Sequence, residues 1–170
     1  MSIIQLKQKV RFVACSFALL VSFSTAAETE KSWNKYEKVA QSLLGEIKQS
    51  PLPSIQKKGN QLVDLAKEIL PDFTAKNPQC KEYIQAALKA SNRMLDLTLD
   101  EIEKDYHADG KLPAMKNVSC YHAKDLLVHP ATVVVIAKRL KDEPKTRLQL
   151  KAEIDEVLEH FSQVKKSAGL

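Results

Sequence analysis

Glycine is scarce in this chain, only four residues in 170, and aromatic residues make up 6%. Alternating apolar and polar residues are almost missing too, so a β-sheet has little support and the three- and four-residue apolar spacing of helices prevails. The sequence has no glycine-rich phosphate loop, no GxSxG, no HExxH, no CxxC and no CxxCH. These absences remove the sequence signatures of nucleotide binding, serine hydrolysis, zinc proteolysis and covalent haem attachment. An enzyme is not expected.

The N-terminus carries an address. Lys7, Lys9 and Arg11 precede the apolar run FVACSFALLV at 12–21, and Ser24, Thr25, Ala26 and Ala27 supply small residues for cleavage. This is the pattern of a secretory signal peptide over 1–27, removed to leave one domain at 28–170. The apolar run is about half of what a spanning helix needs, and no later segment qualifies, so no transmembrane anchor is expected after cleavage. Cleavage removes three of the 26 basic residues and no acidic one, leaving 23 against 21 and a formal charge of +2. A surface so balanced gives no footprint for nucleic acid. The expected location is the periplasm or the exterior.

The mature chain reads as an all-α, up-and-down bundle of four long helices plus one short helix. Helix one is expected over 31–49, with Trp33, Tyr36, Val39, Ala40, Leu43, Leu44 and Ile47 on one stripe. Two prolines in SPLPS end it. Helix two follows from Ser54 to Leu70 and closes at LPDFTAKNP, where Asn77 stands as N-cap before Pro78. Helix three is expected to be the longest, from Pro78 to Tyr106, uninterrupted by proline or glycine. A short helix should occupy 119–128, with a kink at Pro130. The run Thr132–Ile136 is β-branched throughout, but a lone strand has no pairing partner, so it reads as a buried helical segment. The last helix follows Pro144 and ends near Lys166.

Cys80 and Cys120 are the two cysteines beyond the signal segment, and in an exported chain they are expected to pair. Such a bond would contribute about 4 kcal/mol on the chain-entropy account. It also strains the expected topology. A straight helix from 78 to 106 is about 43 Å long, and residues 107–120 span about 45 Å fully extended, so the return segment is stretched or helix three bends.

The stretch HADGKLPAMKNVSCYHAKDLLVHP, 107–130, concentrates three of the four histidines. His107, His122 and His129, with Asp109 as a fourth donor, form a candidate metal site, because imidazole is the commonest metal ligand. Their mutual spacing does not specify one: His122 and His129 are seven residues apart, about 10 Å on a straight helix. Three histidines capping helix ends or bonding carbonyls explain the same pattern. His160 reads as a surface residue. Haem held by a histidine with Met94 or Met115 is a further alternative, against their reading as core and loop filler. Two catalytic readings are weaker still. A Cys120–His122 pair competes with the disulfide, and a cluster of Asp105, Tyr106, His107 and Asp109 competes with turn chemistry at Asp109-Gly110. The first expectation is therefore a binding or interaction module of the cell envelope, its partner an envelope protein or small ligand. The alternative is a metal- or haem-binding periplasmic protein.

Overall fold

A computed structural model describes residues 19–169, with side chains from Glu30 onward. Most of the expected signal peptide, residues 1–18, lies outside the described residues, and so does Cys15. The described residues form helices and no strands: α1 (Leu19–Glu46), α2 (Leu52–Lys76), a 3-10 turn (Pro78–Cys80), α3 (Lys81–Met94), α4 (Leu99–Ile102), a π-helical turn (Glu103–His107), α5 (Val118–Arg139) and α6 (Pro144–Ala168). The four long helices α1, α2, α5 and α6 form a closed ring in which each packs on the next and α6 returns to α1, while α3 leans on α2 and α5. None of the described helices is long and apolar enough to cross a membrane.

The expected stripe of α1 is the buried one. Trp33, Tyr36, Ala40, Leu43 and Ile47 are all buried, and Tyr36 stacks on Phe161 of α6 at 5.4 Å. The Tyr36 hydroxyl donates to the Leu126 carbonyl of α5 at 2.7 Å, fixing α1 against the central helix. Gly59 has a packing reason: a Cβ there would stand 2.9 Å from Val134 Cγ2 and 3.2 Å from Val133 Cγ1, so its absence lets α2 and α5 approach.

Three expected boundaries are corrected. Helix two does not close at Leu70 but runs through Pro71 to Lys76. Proline inside a helix costs about 3 kcal/mol. Here Phe73 and Thr74 continue the buried stripe past it, and burial of Phe73 offsets part of that cost. Likewise α5 does not end at Val128 but is one helix of 22 residues that continues through His129 and Pro130. It is buried on nearly all sides, as suits the middle of a bundle, and its β-branched run is helical as expected. Helix three is not the longest element. It breaks after Met94, and Thr98 starts α4 with a capping box: Thr98 Oγ1 accepts from Glu101 N–H at 3.2 Å, and Thr98 N–H donates to Glu101 Oε2 at 2.8 Å. Of the two solutions left open by chain reach, the bend is realised. It allows Cys80 and Cys120 to stand at bonding distance, S–S 2.06 Å, tying the start of α3 to the start of α5.

Candidate metal centre

α5 presents Tyr121, Asp125 and His129 at four-residue intervals, which puts them on one face. That face meets Glu153, Glu156 and His160 of α6 and, across the top, Glu103 and His107 of the π-helical turn. The turn is locked from beneath by Lys124. This side chain is wholly buried, and its ammonium donates to the carbonyls of Tyr106 at 3.0 Å and His107 at 2.8 Å and to Asp109 Oδ1 at 3.3 Å. Gly110 is needed in the same turn, since a Cβ would lie 2.4 Å from the Lys104 carbonyl oxygen.

The rings of His107, His129 and His160 follow one another at centroid distances of 5.1 and 5.2 Å. Each has its Nδ1 occupied by an outer partner. His107 Nδ1 lies 3.1 Å from Glu103 Oε1, His129 Nδ1 2.8 Å from Glu153 Oε2, and His160 Nδ1 2.7 Å from His122 Nδ1. An Nδ1–H given to an outer acceptor leaves the Nε2 lone pair for a metal, as metal-ligating imidazoles are usually oriented; at His107 that Nε2 lies 3.4 Å from the Tyr121 hydroxyl, which a metal would displace. Two sets of ligand atoms lie within 4.8 Å of one another: His107, Asp125, His129 and His129, Glu156, His160. His160 Nε2 stands 3.6 Å from Asp125 Oδ2 and 3.7 Å from Glu156 Oε2. Two ligands of one tetrahedral ion with bonds near 2.1 Å are about 3.4 Å apart, so these separations need only small adjustment.

The electrostatics are those of a site short of positive charge. Both Asp125 oxygens and His129 Nε2 are buried without a hydrogen-bond partner. Lys124 Nζ is 3.0 Å from Asp125 Oδ1, an ion pair, but it lies off the line along which a hydrogen bond forms. Burial raises the Asp125 pKa, against the opposing pull of Lys124, His129 and His107. Burial, followed by the neighbouring imidazoles and Lys124, lowers the His160 pKa to about 3, so its ring is neutral at ordinary pH. Tyr121 is pushed up to about 12 by burial and then by Asp125. A cavity of about 420 Å³, lined by Glu103, His107, Tyr121, His129, Glu156 and His160 among others, gives access from solvent.

Of the four residues expected at a metal, His107 and His129 come together. His122 stands one shell out, against His160. Asp109 is directed elsewhere, accepting from the Tyr83 hydroxyl at 2.5 Å and from Lys124, and belongs to neither ligand set. His160, read as a surface residue, is instead 5% exposed and central. Asp105 pairs with Lys111. Met94 is buried and Met115 is 44% exposed, and neither lines the histidine cavity. Sequence reasoning missed Asp125, Glu153, Glu156 and His160. Spacing among the histidines alone does not reveal it; the readable signal is an acid four residues before each of three of them: Glu103–His107, Asp125–His129 and Glu156–His160. No protein-family model, curated protein or solved structure matches this chain.

Proposed function

We propose that this chain is an exported helical bundle that binds a divalent transition metal between α5, α6 and the π-helical turn. The observation that carries the reading is the common orientation of His107, His129 and His160, each with Nδ1 held from outside, around an Asp125 carboxylate that has no hydrogen-bond donor. Burial of the Asp125 carboxylate is only partly offset by the Lys124 ammonium 3.0 Å from Oδ1, and a dication would offset the remainder. Nitrogen and oxygen donors together suit zinc, cobalt, iron or manganese rather than a soft thiolate-seeking ion. Export rests on residues 1–27 as a signal peptide.

The test is metal analysis of untagged protein from its own envelope, followed by melting of metal-stripped protein with Zn(II). At a hundredfold excess over the dissociation constant, binding adds about 2.7 kcal/mol. A rise in melting temperature that His129→Ala abolishes supports the proposal. Bare protein unmoved by Zn(II), Co(II) or Mn(II) overturns it and leaves the interaction-module reading. That second reading has its own support in a groove of about 830 Å³ between α1 and α6, where Leu148 is 69% exposed beside Leu44 and Pro144.

A further inference from the structure

We infer that the Cys80–Cys120 disulfide belongs to the metal site: through Tyr83 and Lys124 it clamps Asp109 and presets His107 for the ion, so that tight binding is a property of the disulfide-bonded chain. This rests on the metal-binding reading above, with the ion held by His107, Asp125 and His129.

The three ligands are not equally well placed by their own elements. Asp125 and His129 share α5, whose 22 residues fix their spacing. His107 is the last residue of a stretch made of four α4 residues and five π-helical ones, shorter than the roughly 12–15 residues a helix needs to hold by itself in water. No helix follows it until Val118. The place of His107 therefore depends on ties to other elements.

Those ties converge on Asp109. Its Oδ1 accepts from the Tyr83 hydroxyl of α3 at 2.5 Å and from the Lys124 ammonium of α5 at 3.3 Å, and the same ammonium donates to the His107 carbonyl at 2.8 Å. Asp109 has φ 62°, a left-handed backbone that a residue other than glycine keeps where its surroundings hold it. Burial, followed by the bond to Asp109, raises the Tyr83 pKa, so its hydroxyl remains a donor.

The disulfide sets both grips. Tyr83 lies three residues after Cys80 and Lys124 four after Cys120, about one helical turn in each case. Joining the two half-cystines fixes how far apart the two donors stand. Tyr121, next to Cys120, also lies against His107, its hydroxyl 3.4 Å from Nε2. Without the bond, these ends of α3 and α5 can separate, and Asp109 loses one of its two grips. A ligand held in place before the ion arrives costs little ordering on binding, so the clamp raises affinity.

The test measures Zn(II) affinity, by competition with a chromophoric chelator, in the disulfide-bonded wild type, in Tyr83→Phe, in the double variant Cys80→Ser/Cys120→Ser and in the triple variant that combines them. Removing both thiols keeps a freed cysteine from binding zinc itself. Circular dichroism checks that each chain is folded. Tyr83→Phe and the double variant should each bind about 10- to 100-fold more weakly at unchanged stoichiometry. The triple variant should be no weaker than the double one, because Tyr83 grips Asp109 only while the disulfide holds it; independent structural losses would add. Wild-type affinity in either folded variant, or losses that add in the triple one, overturns the clamp and leaves the metal-binding proposal standing. A wild type that takes no Zn(II) overturns both. If the double variant does not fold, Tyr83→Phe decides alone by the same tenfold loss.

Discussion

His129 turns its Nδ1 to Glu153 Oε2 at 2.8 Å and leaves its buried Nε2 with no hydrogen-bond partner, so one ring is both anchored and unsatisfied. A ring held only for structure would spend both nitrogens on protein. The arrangement is the carboxylate–histidine pair that orients a metal ligand. Replacing Glu153 by Gln should weaken Zn(II) binding about 10- to 100-fold without changing the stoichiometry, as read by competition with a chromophoric chelator. Unchanged affinity would show that Glu153 plays no part in positioning His129.

A second prediction concerns Lys124. Its ammonium holds the carbonyls of Tyr106 and His107 and lies beside Asp109 and Asp125, all from a wholly buried position. Lys124→Met leaves two carboxylates without their cation, and losing one partner of a buried pair costs about 3–5 kcal/mol. Urea denaturation of the metal-free protein should show that loss. A change below about 1 kcal/mol, within the range of exposed pairs, would contradict the role assigned to Lys124.

The third concerns pH. The His160 ring faces Tyr121, His122, Lys124, Asp125 and His129 of α5, His107 of the π-helical turn and Glu156 of its own helix. Its folded pKa of about 3 lies below the ordinary 6.5, so between those values the unfolded chain takes up a proton that the folded chain refuses. Stability of the metal-free protein should therefore fall as pH drops through that window. Asp125 acts in the opposite sense: its pKa is raised above 3.8, so acidification relieves the cost of its buried charge. The urea midpoint should fall between pH 7 and pH 4 in the wild type and fall less in His160→Gln. Parallel profiles would remove His160 as the cause.

How legible this was depends on the signal. Periodic apolar residues give the bundle, because Trp33, Tyr36, Ala40, Leu43 and Ile47 can be buried together only on a helix. Compartment logic gives Cys80–Cys120. Pro71 and Pro130 misled, since a local steric rule was set against burial that only the assembled bundle supplies. At the bend, Thr98-Leu99-Asp100-Glu101 carries a capping signature that needs neither proline nor glycine. His160 was out of reach for a different reason: it lies 38 residues from His122 in sequence, and only the packing of α6 on α5 makes them neighbours.

That bend yields a fourth prediction. Thr98→Ala removes the side-chain acceptor of the Glu101 N–H and should cost about 1 kcal/mol, a melting shift of about 2–4 °C. Differential scanning calorimetry reads it. No shift would mean that the cap does not hold α4.

The most direct measurement of the central claim is anomalous diffraction from crystals grown with Zn(II), collected on both sides of the zinc edge. The account predicts a peak about 2.0–2.2 Å from His129 Nε2 and from an Asp125 oxygen, in the space between α5, α6 and the π-helical turn. A zinc-soaked crystal with no peak there, or with zinc only on exposed surface residues, would contradict it.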